Sequence, residues 1–275
     1  MNKKFSIGKL PFYAVLCAMG FVVLYPLIFI LMTSVKPNLD VIMYPFSIKT
    51  VQLDNYVEAW RIGKVGQYLW NSVYVTIITM GLQVVIIFFA SYALGKLKPW
   101  GYNIILSVIL MMMFVTSEMT TIPNYMTMRS WGLLNTRAGL IIPYTAGGLV
   151  MGTFILTNFV RALPKELDEA ALIDGAGMLQ ILYLIDFPLV VPALATIVIF
   201  NFNGVWSEFF WALITIQDDA IKTLPLGLIN FSSQYTSNYG VLSAGLTILT
   251  LPVVVVYLVF SRYFIANISA GAIKG

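Results

Sequence analysis

The 275-residue chain contains no histidine. That removes the commonest general base and metal ligand, so Ser-His triads, His-Glu-x-x-His zinc sites and haem ligation are excluded and no metal site is expected. Cysteine occurs once, as Cys17 inside the first apolar run, so an intrachain disulfide is impossible and thiols say nothing about the redox compartment. Charge is scarce too. Asp, Glu, Lys and Arg make up 10% of residues, and the net charge of +4 is spread out, with no basic run suited to nucleic acid. A Gly-x-x-x-x-Gly-Lys-Ser/Thr phosphate loop is missing as well: Gly8-Lys9, Gly63-Lys64 and Gly95-Lys96 lack both the upstream glycine and the following hydroxyl. The chain is expected to bind no cofactor of its own and to be no enzyme.

What the sequence has in abundance is oil. Hydrophobic residues are 59% of the chain, with 18 Phe, 15 Tyr and 13 Met, and the mean hydropathy is +0.87. Soluble domains hold about half apolar residues, so this is a membrane protein in contact with the lipid bilayer. Six apolar stretches fall at about 11–33, 68–94, 103–122, 139–160, 189–214 and 240–264. Each is near the roughly 20 residues that one helical crossing uses, which predicts an all-α membrane protein with six transmembrane helices in a single domain spanning 1–275. Lys3, Lys4 and Lys9 precede the first run, and no small-residue cleavage site follows a short apolar core, so a retained anchor is expected.

An even number of crossings puts both termini on one side. With the N-terminus inside, inner segments carry Lys3, Lys4, Lys9, Lys96, Lys98, Arg161, Lys165, Arg262 and Lys274, and outer ones Lys36, Lys49, Arg61, Lys64, Arg129, Arg137 and Lys222. The short segments 1–10 and 95–102 are dense in Lys and free of acid, whereas 34–67 mixes signs. An N-in, C-in arrangement follows, and residues 161–188 become the longest polar segment on the inner side.

That segment contains "ELDEAALIDGAG", which gathers Glu166, Asp168, Glu169 and Asp174 out of only twelve acids in the chain. Pro164 suits a helix start, and acids in the first turn complement the helix dipole. Gly175 and Gly177 supply a stop. The predicted helix of about eleven residues, some 16 Å long, cannot cross a bilayer of about 30 Å. A helix that grips anionic lipid is rich in Lys and Arg, and this one is acidic, so a protein partner suits it better than a membrane surface. The same residues would also serve as a capped, solvated interfacial helix.

At these residues the sequence resembles a known family. Glu169-Ala170-Ala171, three residues, Gly175, nine residues, Ile185, one residue, Phe187-Pro188 looks like the EAA loop of permease subunits of ATP-binding-cassette (ABC) importers, with Phe187 where Leu is usual. "LPKELDEAALIDGAG" at 163–177 is close to the carbohydrate-uptake version. "IPNYMTMRSWGLLNT" at 122–136, "VWSEFFWALI" at 205–214 and "SAGAIKG" at 269–275 extend the likeness, the last resembling the tail of the maltose-type second permease. The resemblance implies a permease of a prokaryotic cytoplasmic membrane that pairs with a homologous subunit, sits on two cytoplasmic ATPase subunits that use ATP and Mg, and receives solute from an extracytoplasmic binding protein. It further implies that 164–177 is a coupling helix docking on the ATPase. Glu166, Glu169, Ala170, Ala171, Asp174 and Gly175 would form that contact, and Ser269, Gly271 and Lys274 of the tail would reach the ATPase dimer. A frayed terminus is the plain alternative for the tail.

Polar groups at membrane depth usually face a bundle interior or a pathway. Glu118, Asn201, Asn203 and Glu208 are the clearest, with Gln83 and Asn158 less easily oriented. Asn201 and Glu208 are seven apart and would share a helix face, with Trp206 beside them as an aromatic platform or as part of an interfacial belt. Gly148 and Gly152 form a Gly-x-x-x-Gly pair, a packing motif rather than chemistry. Competing readings are the same importer machinery serving a non-carbohydrate solute, and a secondary transporter, for which no internal repeat is evident.

Overall fold

The computed structural model describes residues 10–61, 63–234 and 238–272, and every regular element among them is helical. The helices are α1 Leu10–Ser34, α2 Asn38–Met43, α3 Asp54–Arg61, α4 Val65–Tyr92, α5 Tyr102–Met112, α6 Ser117–Ser130, α7 Ala138–Arg161, α8 Lys165–Ile173, α9 Met178–Gln180, α10 Phe187–Trp206, α11 Phe210–Thr215, α12 Leu224–Gln234 and α13 Tyr239–Ala272. A π turn, Ala93–Leu97, continues α4, and another, Ile181–Asp186, leads into α10.

Among the described residues five helical stretches are long and apolar enough to cross a membrane: Phe12–Ser34, Val65–Leu97, Ala138–Arg161, Met178–Trp206 and Tyr239–Phe260. A sixth crossing exists if α5 and α6, bent by 104° at their junction, count as one broken span. The expected run 103–122 therefore is not one straight helix. Met113, Phe114 and Val115 are all apolar, so hydropathy runs through the bend; the backbone turns there and Thr116 is extended at ψ 158° before α6 starts. The expected run 189–214 also divides. Its helix begins earlier, ends at Trp206 and resumes as the short α11.

The chain forms two compact units. In the first, Met1–Gly66 with Gly227–Leu251, none of the residues in the α1 window that hydropathy selects is buried, as suits a helix that is apolar all round. The segment after it is fastened by polar side chains. Asn55 Nδ2 donates to the carbonyls of Ser34 (2.9 Å) and Lys36 (2.8 Å), and the fully buried Lys36 ammonium donates to the carbonyls of Tyr44 and Pro45.

In the second unit, Gln67–Leu226 with Pro252–Gly275, α4, α7 and α10 share a layer with two apolar cores. Ile87, Leu156, Val160, Val190 and Ile197 meet in one; Val75, Leu140, Tyr144, Trp211 and Ala212 meet in the other. Between them lies a polar junction. Gln83, 1% exposed, donates to the Tyr144 carbonyl (2.8 Å), and Asn201 Nδ2 donates to Gln83 Oε1 (3.0 Å) and to the Gly148 carbonyl (3.2 Å). In lipid such groups must find partners inside the protein, and here they do. The Gly-x-x-x-Gly pair does its expected work: a Cβ on Gly148 would strike Gln83 and Asn201, and one on Gly152 would strike Ile87 and Ile197. Both neighbours of α7 can approach because those two positions have no side chain.

Candidate functional site

The ends of this layer carry different residues. At one end the starts of α4 and α7 meet the segment 215–223. Asn71 Nδ2 donates to the carbonyls of Ala220 (2.9 Å) and Lys222 (3.0 Å), and Arg137 donates to Asn71 Oδ1 (2.9 Å). Asn135, at a left-handed φ of 57°, accepts from the backbone N–H of Gln217 and Asp218 (2.9 and 2.8 Å).

Of the sequence-selected pathway residues, Glu208 lies at this end. Glu208 accepts from the backbone N–H of Trp211 (2.6 Å) and Ala212 (3.3 Å) and from the Tyr144 hydroxyl, so its carboxylate caps α11 and ties it to α7. Because α10 ends at Trp206, Asn201 and Glu208 do not share one helix face. The seven-residue spacing assumed a continuous helix that the turn at Ser207 interrupts. Trp206 is 2% exposed and stacks on Phe202 with centroids 5.6 Å apart, Asn201 belongs to the polar junction, and Asn203 is exposed. Glu118 lies apart from them, exposed in the first turn of α6, where the helix dipole favours an anion.

The opposite end holds the acidic stretch. Pro164, with φ −60° and ψ 129°, is the extended residue before α8, and Glu166 and Asp168 occupy the first turn. The helix covers nine residues rather than about eleven, because its stop begins immediately at Asp174. The Ala176 N–H bonds the Ala171 carbonyl (2.9 Å) and the Gly175 N–H the Leu172 carbonyl (3.1 Å), while Gly175 sits at φ +83°. This is the Schellman pattern, in which a left-handed glycine just past the helix satisfies the last carbonyls. A Cβ at Gly175 would meet nothing within 4 Å, so within this chain the glycine is required by its φ and not by crowding.

Helical periodicity divides α8 into two faces. Glu166, Glu169, Ala170 and Ile173 fall at i, i+3, i+4 and i+7 and are all exposed, Ile173 at 86%. Ala171 is buried and Asp168 half-buried, so these face the body of the chain. Past the helix, Ala171, Asp174, Gly175, Ala176, Gln180, Leu184 and Ile185 line an open hollow of about 380 Å³. Leu172 and Ile173 at the end of α8, and Leu179 and Leu184 in the stretch that leads into α10, are exposed beside these acids.

Sequence reasoning missed what holds α8 from behind. The Lys96 ammonium contacts both Asp168 oxygens (2.6 and 2.5 Å) and Asp186 Oδ1 (2.5 Å). A signal was present. Asp186 stands between Ile185 and Phe187 at the edge of an apolar run, and an acid in such a place needs a cation. In the tail, Ser269 and Gly271 fall within α13, and Lys274 lies outside the described residues.

Comparison with known proteins is consistent with this geometry. The family model described as "Binding-protein-dependent transport system inner membrane component" matches residues 87–269. The probable ABC transporter permease protein YurM of Bacillus subtilis is 32% identical over all of this chain and 91% of its own length. The diacetylchitobiose uptake system permease protein NgcG of Streptomyces coelicolor is 33% identical over 95% of this chain and 88% of its own. A crystal structure of a bacterial ABC transporter involved in import of the acidic polysaccharide alginate superposes with a TM-score of 0.81 at 24% identity, covering 96% of this chain and 100% of that one, and so shares the fold. These relatives are transport components rather than enzymes. A multi-pass chain whose EAA pattern lies on a short clamped helix, and which matches the family model over two thirds of its length, belongs to the family of binding-protein-dependent transport system inner membrane components.

Proposed function

We propose that this chain is one permease subunit of an ABC importer that moves a carbohydrate across the cytoplasmic membrane of a prokaryote. Family membership supports the importer role, and the diacetylchitobiose specificity of a relative supports a carbohydrate cargo. The termini and the coupling loop lie inside, in line with the Lys-dense short segments. The partners are a homologous permease subunit, two cytoplasmic ATPase subunits carrying ATP and Mg, and an extracytoplasmic solute-binding protein.

The observation that carries the reading is the outward face of α8: Glu169, Ala170 and Ile173 exposed together on a helix too short to span, held from behind and stopped sharply at Gly175. In this reading Glu166, Glu169 and Ala170 touch the ATPase, Ala171 seats the helix on its own subunit, and Asp174 and Gly175 turn the chain clear of the cleft. Transport then follows from differential fit. The ATPase dimer has an open and a closed form, the permease has two packings, and contact at α8 links each form to one packing. On the solute side, exposed Asn203 and Glu118 offer polar groups to sugar hydroxyls, while Asn201, Trp206 and Glu208 hold the shape behind them. Ser269, Gly271 and Lys274 extend the ATPase contact.

The test is reconstitution with the partner subunits. ATP hydrolysis should rise on adding sugar-loaded binding protein, and a Glu169→Cys variant, made with Cys17 replaced by Ser, should cross-link to a cysteine in the ATPase cleft. Uptake by this chain in liposomes without an ATPase would sink the importer reading. Stimulation only by a non-carbohydrate solute would sink the cargo assignment alone.

A further inference from the structure

Lys96 touches both ends of the coupling loop. Its ammonium meets Asp168, on the inward face of α8, and Asp186, at the threshold of α10, while its own backbone ends the apolar stretch begun by α4. The side chains are 14%, 24% and 2% exposed for Lys96, Asp168 and Asp186, so the cluster is shielded from the water that weakens surface ion pairs.

Three local features place the ammonium there. Lys96 lies in the π turn Ala93–Leu97 and Asp186 closes the π turn Ile181–Asp186. A π turn adds a residue to the helical register and so re-aims the side chains that follow, which is why such turns gather at functional places. Gly95 lets the end of α4 press on the end of α7: a Cβ there would lie 2.7 Å from Val160 Cγ1. The Lys96 position is thus set against two spans before it meets either acid.

Two carboxylates share one ammonium, and Asp186 Oδ2 is buried without a hydrogen-bond partner. Asp186 therefore depends on Lys96, and Asp168 can leave only by pulling on the same cation. We infer that Lys96 is a positioning residue that clasps the coupling helix to the ends of the second and fifth spans, so that displacement of α8 moves α4 and α10 with it. The clasp rests on the reading that α8 docks on the ATPase. Without the clasp, α8 is joined to α7 by the short loop 162–164, to α9 and the π turn before α10 by residues 174–177, and to the body of the chain by the buried Ala171, and these transmit a push poorly. With it, a shift at α8 becomes a shift of two packed spans, which close-packed interiors pass on as rigid bodies.

The experiment uses the assembled importer in liposomes, with the binding protein loaded, and compares Lys96→Met, Lys96→Arg and Asp168→Asn with the native chain. Docking is read by the Glu169→Cys cross-link and coupling by solute taken up per ATP hydrolysed. With the cross-link retained, uptake per ATP should fall by about ten-fold or more in Lys96→Met, the size of an ordinary coupling free energy, while Lys96→Arg recovers most of it. Asp168→Asn, which keeps Lys96 paired with Asp186, should fall between them. Normal uptake per ATP in a cross-linking Lys96→Met complex overturns the clasp and leaves docking standing. Loss of the cross-link in the otherwise native chain overturns docking and the clasp together. Should Lys96→Met fail to assemble, normal uptake per ATP in Asp168→Asn overturns the clasp, because the bond would then serve folding alone.

Discussion

The two ends of the α4, α7 and α10 layer are fastened in opposite ways. At the end that holds Asn71, several uncharged side chains each bind backbone: Asn71 to two carbonyls, Asn135 to two N–H groups, and Gln67 to the Ala220 carbonyl at 3.0 Å. At the end that holds α8, one lysine bridges two aspartates. The first arrangement is redundant, so no single bond decides the shape of the 215–223 segment. The second is concentrated, with one side chain paired to two acids. The first suits a platform and the second, on the clasp proposed above, a lever.

The contrast can be broken from either side. The largest effect is expected at Gly175. A Gly175→Val chain must place a β-branched residue at φ +83°, costing about 1–2 kcal/mol locally, and must also fill the hollow beside α8. Membrane insertion should persist while stimulation of ATP hydrolysis by loaded binding protein disappears; stimulation at the native level would remove Gly175 from the coupling contact. Gly175→Asn separates the causes, since Asn tolerates the left-handed backbone but still adds bulk. It should relieve the backbone strain, read as a higher thermal midpoint than that of Gly175→Val, without restoring stimulation.

A smaller effect of another kind is expected at the redundant end. Asn71→Leu removes three hydrogen bonds, including those of the Lys222 carbonyl and the Arg137 guanidinium, while Gln67 still donates to the Ala220 carbonyl, at a cost of about 1–3 kcal/mol. The thermal midpoint of the purified complex should fall while the ratio of stimulated to basal ATP hydrolysis stays native. A changed ratio with an unchanged midpoint would erase the distinction between the two ends. Asn135→Gly should lower the midpoint less than Asn135→Ala, because glycine loses the two hydrogen bonds but keeps the left-handed backbone at ease.

The smallest effect belongs to Glu166→Gln. Glu166 is exposed in the first turn of α8, where a carboxylate contributes about 0.3–1 kcal/mol through the helix dipole. Near-native uptake is expected. A loss as large as that of Gly175→Val would mean that Glu166 carries the docking contact alone and does not share it with Glu169 and Ala170.

Much of this molecule was legible in the chain. Four of the six apolar runs, those near α1, α4, α7 and α13, match long helices because a segment in lipid must satisfy its own backbone, and only length and apolarity are needed to see that. The stop at Gly175 was legible for the same local reason: a left-handed residue is chemically marked. The bend between α5 and α6 was hidden because Met113, Phe114 and Val115 keep hydropathy high through a turn. Polarity at membrane depth marks Glu208 as a pathway group, although an acid three residues before Trp211 also has the spacing of a helix cap. Local sequence marks Asp168 only as a first-turn acid, because its partner lies 72 residues away.

The sequence by itself determined what depends on near neighbours and on the solvent: that the chain lives in lipid, that a short acidic helix interrupts its apolar runs, and which pattern that helix carries. Tertiary structure alone decided which face of α8 is turned outward, that Ala171 is spent on the chain's own interior, and that Lys96 joins Asp168 to Asp186. Those facts depend on which helix ends come together and on the register that two π turns impose, and side chains 72 and 90 residues apart in sequence leave no local trace of their meeting.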